Sequence, residues 1–173
     1  YSRELVNRYY ERHGQYHPIT LDAQLNLGSV MVNVDKLKQG TELLDKTFDA
    51  IANNGAKDLY YGRLNMVATT FEASQQFDLS TRYYLRLIKD LEAEPISRTL
   101  GISYFNLAVM KKSERKLDEA LLWHEKALEV LTKTAGPDDI DTIAAVSGLG
   151  NTYTVLGRPA TGVQFLEQGY TRA

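Results

Sequence analysis

The 173-residue sequence predicts an all-α solenoid of stacked helical hairpins, and three observations lead there. Small residues recur in register, with Gly28, Ala68, Ala108 and Gly150 standing 40, 40 and 42 residues apart. Twelve positions after each comes a second small residue, Gly40, Ser80, Ala120 or Gly162, and seven further on stand Thr47, Leu87, Ala127 and Gly169. An apolar residue precedes each member of the first column: Leu27, Val67, Leu107 and Leu149. Periods of this length mark stacked supersecondary units, and about 40 residues hold two helices of about 15 residues with two short turns. The small residues mark the points where two helices cross so closely that a larger side chain would push the backbones apart.

Taken in order, Tyr1–His13, "YSRELVNRYYERH", reads as the second helix of an earlier unit whose first helix is missing. The chain is then expected to form one domain over 1–173. Residues 1–15 close the earlier repeat, and four repeats follow at 16–55, 56–95, 96–135 and 136–173. "HPITLD" at His17–Asp22 separates helices as "GPDDID" does before the last repeat. There Gly136 suits the left-handed residue past a helix end, Pro137 cannot continue that helix, and Asp138 or Asp139 caps the next. In the third repeat Ile102, Phe105, Leu107 and Val109 have helical spacing, and "KKSERK" reads as a polar turn. Leu117, Leu121, Leu128 and Leu131, with Ala120, Ala127 and Trp123, form the second amphipathic helix.

Composition narrows the function. A net charge of −2 leaves no footprint for nucleic acid or an anionic membrane. With 0 cysteines there is neither a disulfide framework nor a thiolate metal site. No apolar run approaches the roughly 18 residues of a membrane span, and no signal peptide is visible. The chain starts at Tyr1 without a Met and reads as an excised fragment, for which the cytoplasm is the default location. His13 and His17 stand four apart but are flanked by Gly14 and Pro18, and they read as loop histidines rather than metal ligands. His124, beside Trp123, reads as a packing or surface residue rather than a general base. "GLGN" lacks the third glycine and the strand context of a dinucleotide loop. Glu119, Glu125 and Glu129 read as a solvated face near Lys126. One member of each tyrosine pair, Tyr9–Tyr10, Tyr60–Tyr61 and Tyr83–Tyr84, is expected to pack between helices. No nucleophile, base and orienting group converge. The expectation is a non-enzyme with no metal and no cofactor.

"GPDDIDTIAAVSGLGNTYTVLGRPATGVQFLEQG", "ISYFNLAVMKKSERKLDEALLWHEKAL" and "YHPITLDAQLNLGSVMVN" together resemble the tetratricopeptide repeat, in the longer form of kinesin light chains. HEAT-like helix pairs share the period, but the offsets of 12 and 7 favour the tetratricopeptide reading. "YYGRLNMVATTFEASQQFDLSTRYYLRLI" keeps the small residues yet has Leu87 where the family prefers alanine. The resemblance implies a right-handed superhelix whose first helices line a concave binding face. On that face it places Asn26, Ser29 and Asn33, then Asn65 and Thr69, then Phe105, Asn106 and Val109, then Ser147 and Asn151. Asp22, Leu25, Ile102 and Lys112 accompany them. Asparagine is a poor residue for a helix interior, so its recurrence there invites a reason. The amides either serve the main chain of a bound peptide or bridge neighbouring helices, and both readings stand at this point. Chaperone-binding members of the family grip a carboxylate with several basic residues. Here Lys112 alone is basic against Asp22 and Glu72, so a neutral segment with apolar side chains is the expected ligand. The function implied is a protein- or peptide-binding scaffold within a larger signalling or regulatory protein. The alternative is a self-assembly module forming a homodimer through its terminal helices.

Overall fold

The computed structural model describes residues 2–34, 36–54 and 57–172. The expected boundary between the first two repeats, at 55/56, lies outside the described residues. Every regular element among those residues is an α-helix: α1 (Ser2–His13), α2 (Pro18–Asn33), α3 (Leu37–Asn54), α4 (Lys57–Ala73), α5 (Phe77–Glu92), α6 (Arg98–Ser113), α7 (Leu117–Thr134), α8 (Ile140–Val155) and α9 (Pro159–Arg172). They fall into two compact units, Tyr1–Gln75 and Gln76–Ala173.

Local chemistry sets the helix ends. Three first helices begin on a side-chain cap that satisfies an otherwise orphaned amide. His17 Nδ1 accepts from the Ile19 amide at 3.3 Å, Ser97 Oγ from Leu100 at 3.3 Å, and Asp139 Oδ1 from Asp141 at 3.0 Å. Of the two aspartates expected to cap α8, Asp139 does so. Gln75 (φ 59°), Arg115 (φ 65°) and Gly157 (φ 82°), each just past a helix end, are left-handed. The amides of Lys116 and Arg158 then reach back to the carbonyls of Lys111 and Tyr153, at 3.0 and 2.9 Å. This is the six-to-one closure that ends a helix on a left-handed residue.

In the first unit α2 packs on α1, α3 and α4; in the second α6 packs on α5, α7 and α8, and α9 packs on α8. All twelve small-column positions are buried. A side chain added at Gly40 would lie 2.8 Å from the Gly28 carbonyl oxygen, and one added at Gly150 would lie 2.8 Å from that of Gly162. These are the expected crossings, so tight that backbone meets backbone. Around them the cores are aliphatic and aromatic, with Leu21, Leu44, Phe48 and Phe71 in the first unit and Tyr83, Leu107, Met110 and Leu131 in the second. First helices, packed on several sides, bury residues around much of their circumference: α8 buries Thr142, Ala145, Val146, Gly148, Leu149, Gly150 and Thr152. Second helices such as α7 keep a one-sided apolar stripe.

Two expectations need correction. Both Tyr83 and Tyr84 are buried, rather than one of the pair. "KKSERK" is not wholly a turn: Lys111 lies inside α6 and is buried. Its ammonium is held by Thr81 Oγ1 at 3.0 Å, Glu114 at 3.1 Å and Glu119 at 3.4 Å. Burial raises the Glu114 carboxyl's pKa, but hydrogen bonds from Lys116 and Lys111 outweigh it and hold the group below its ordinary value.

Candidate partner-binding faces

In the second unit the first helices α6 and α8 lie side by side, fastened at their N-terminal ends by Arg98. Its guanidinium donates to Asp141 at 2.7 Å and Asp139 at 3.0 Å, and the hydrogen bond to Asp141 is the main reason its pKa is raised. Phe105, Asn106 and Val109 are half-buried on α6; on α8 Ser147 is half-buried and Asn151 exposed. Beneath Phe105 lies His124 of α7, the ring centroids 5.4 Å apart. The imidazole is wholly buried, and neither ring nitrogen meets a hydrogen-bond partner. It fills the space left by Gly148, where an added side chain would come within 2.8 Å of Nδ1. Burial drives its pKa down from the usual 6.5 to about 4, helped by the positive charge of Lys112. The floor of this face is therefore a neutral imidazole.

The first unit places its residues differently. Arg63 of α4 forms an ion pair with Asp22 of α2, and Ser74 Oγ donates to Asn33 Oδ1 at 3.4 Å, so the two helices are tied at both ends. Asn26 is exposed and gives its amide hydrogen to Asp22 at 3.2 Å. The hydroxyls of Ser29 and Thr69 turn back onto their own helices, to the carbonyls of Leu25 at 3.0 Å and Met66 at 2.8 Å. Asn65 is half-buried and Thr69 exposed. Leu25, expected as an anchor on the open face, is wholly buried. It precedes Gly28 by three residues and so shares the face that crosses α3.

Arg63 was missed by sequence reasoning, and His124, read as a packing or surface residue, is a packing residue. Arg63 carries its signal as a charge in an otherwise neutral stretch of first helix. The signal at His124 is its column: Leu44, Tyr84 and Leu166 hold the same place in the other hairpins. His13 and His17 stack at 4.8 Å, and His17 is occupied as the α2 cap. Among the described residues no group of three His, Cys, Asp or Glu gathers to hold a metal. No described helix is long and apolar enough to cross a membrane.

Residues 97–173, spanning α6 to α9, match the family model of the tetratricopeptide repeat. No curated protein matches the sequence. Among solved structures, BtubC (BKLC) from P. vanneervenii superposes with a TM-score of 0.74 at 19% identity, over 99% of this chain and 70% of that one. The nearly identical TPR-like repeats of a kinesin light chain sequence from Podosopora anserina give 0.72 at 16% identity, over 99% and 82% of the two chains. MamA from Desulfovibrio magneticus RS-1 gives 0.60 at 11% identity, over 99% and 92%. At such identities the likeness is one of fold. The likeness of residues 97–173 is thus to the tetratricopeptide repeat, and the chain has the helical-hairpin fold of kinesin-light-chain-like repeat proteins.

Proposed function

We propose that this chain is a non-catalytic scaffold that binds a neutral segment of a protein partner on the open faces of its first helices. Its repeats are taken as 16–55, 56–95, 96–135 and 136–173. The family it matches over 97–173 typically mediates protein–protein interaction. One observation carries the reading: Phe105, Asn106 and Val109 of α6 stand beside Ser147 and Asn151 of α8, partly open, in the unit where the match falls. Apolar surface and amides alternate there, which suits the side chains and main chain of an extended peptide. In the first unit Asn26, Ser29, Asn33, Asn65 and Thr69 belong to the corresponding face, although several of their polar groups are already engaged. We take the chain as part of a larger signalling or regulatory protein, with the cytoplasm as its default location.

The test is selection of peptides from a neutral library on the purified chain. Asn106→Ala with Asn151→Ala should weaken the selected peptide several-fold to a hundredfold, the equivalent of about 1–3 kcal/mol. Binding should change little between low and physiological salt, because few charges face the ligand. Unchanged affinity in the double variant would remove the groove reading. Self-association through terminal helices is the alternative, with half-exposed Val163 on α9 in its favour. Ultracentrifugation across concentrations decides it.

A further inference from the structure

Within the second unit α8 is packed more extensively on α9 than on α7, and one ring occupies the middle of the α7–α8 seam. His124 is 0% exposed with both ring nitrogens unpartnered, and it fills the recess of Gly148. Thr152, one turn further along the same face of α8, is also wholly buried. The seam is pinned at one end only. There the short connection from Thr134 to Ile140 joins the two helices, and Arg98 of α6 holds Asp139 and Asp141.

Nothing around the ring would balance a proton on it. α6 turns Lys112 toward it, which adds repulsion, and α8 has Asp141 as its one charged residue, seven positions before Gly148. On α7 itself the neighbouring Glu125 is exposed, and Lys126 lies over the Trp123 ring at 4.4 Å. A buried imidazolium without hydrogen bond or counter-ion is costly, and the cost is relieved by letting water in. The hairpin α8/α9 does not share this weakness, since its crossing joins Gly150 to Gly162 and Tyr153 to Phe165. We infer that the α7–α8 seam is an acid-operated hinge: protonation of His124 swings the intact hairpin α8/α9 away from α7, about the end that Arg98 fastens.

The size of the effect follows from the ring. In the closed seam burial first, and the charge of Lys112 second, hold its pKa at about 4, whereas the open seam returns it to its ordinary 6.5. The closed form therefore has its full advantage above pH 6.5 and loses it as pH falls toward 4. The opening equilibrium should rise about thirtyfold between pH 7.5 and 5.0. The α6–α8 face straddles this seam, yet the inference rests on the seam alone and its test uses no ligand.

The chain has 0 cysteines, so a thiol introduced into the seam stands alone. Thr152→Cys is labelled with dithiodipyridine, which reacts in acid, and Ala145→Cys serves as a second reporter nearer the pinned end. Each rate is divided by that of the urea-unfolded chain at the same pH. The quotient should rise by the stated factor from pH 7.5 to 5.0 and respond little to low urea, because local opening exposes little surface. In the His124→Leu and His124→Gln backgrounds it should stay flat. A quotient that does not rise would overturn the hinge. So would an equal rise in both His124 backgrounds, which would assign the opening to the carboxylates under Arg98. Labelling that climbs with urea as steeply as global unfolding would overturn it too, since the seam would then not open by itself.

Discussion

Hairpins α6/α7 and α8/α9 share one backbone plan but are filled by opposite chemistry. Forty-two residues apart, Ala108 and Ala120 in the first correspond to Gly150 and Gly162 in the second. Buried Lys111, with its carboxylates, corresponds to Tyr153, which stacks on Phe165 with centroids 5.6 Å apart. Glu114 corresponds to Leu156, His124 to Leu166, and left-handed Arg115 to Gly157. The plan is therefore enforced by the size of the crossing residues and by the turn. The remaining core positions accept charge or imidazole if the neighbours are arranged for it. The electrostatic filling makes α6/α7 sensitive to pH in a way that α8/α9 is not.

The sharpest break should come at the glycine crossing. Gly150→Leu or Gly162→Leu drives a side chain into a backbone carbonyl and should cost about 3 kcal/mol or more, whereas Ala108→Leu and Ala120→Leu should cost about 1–3 kcal/mol. Urea unfolding, with amide exchange to localise the loss, checks the order. Equal costs would mean that the alanine crossing is as close as the glycine crossing.

The charged cluster comes next. Lys111→Ala leaves Glu114 buried with fewer partners and should cost about 3 kcal/mol. Lys111→Tyr with Glu114→Leu imports the filling of α8/α9 and should recover most of that loss. The Glu114 contribution has a definite sign. Its folded pKa is depressed, so the stability it provides is present above the unfolded carboxylate range and fades as pH falls through its lower folded value.

His124 acts in a higher window. Its folded pKa is also depressed, from 6.5 to about 4, so below pH 6.5 the unfolded chain binds the proton first. Stability should fall between pH 6.5 and about 4, by on the order of 3 kcal/mol in total, and level off below. His124→Leu, the residue type at Leu166, should flatten this part of the curve. Comparing urea midpoints at pH 7.5 and 4.5 for both proteins measures it. A parallel fall in the variant would assign the effect to carboxylates.

The smallest effect lies in the turn. Arg115→Gly relieves a left-handed non-glycine residue and should gain about 0.5–1 kcal/mol, whereas Gly157→Ala should lose about as much. Thermal melts suffice.

How much of this could be read from the sequence depends on the helix. Second helices such as α7 have one wet side, so hydrophobic spacing reported their buried face correctly. First helices are packed on several sides and carry little contrast between faces. The family resemblance placed Asn26 and Ser29 at least partly in the open but also put Leu25 there, although it belongs to the core. The crossings and the Asp139 cap were legible because size and capping are local demands. The burial of Lys111 was not, and for His124 packing and surface both stayed open, because these types are at home on a surface and their burial depends on neighbours that hydrophobic spacing does not report.

Gly148 places a limit on modularity. A glycine inside a helix costs roughly 1 kcal/mol relative to alanine, and this one has positive use as the recess that receives His124. The same position is Asn26 in α2, Met66 in α4 and Asn106 in α6. The imidazole of one hairpin and the recess of the next are thus a matched pair, encoded 24 residues apart across a repeat boundary. Hairpins cut at that boundary and shuffled, duplicated or averaged into a consensus would set the ring against an amide or a thioether. The heritable unit of this stretch is therefore the junction α7–α8, and recombination that respects junctions should yield folded arrays where recombination that respects hairpins does not.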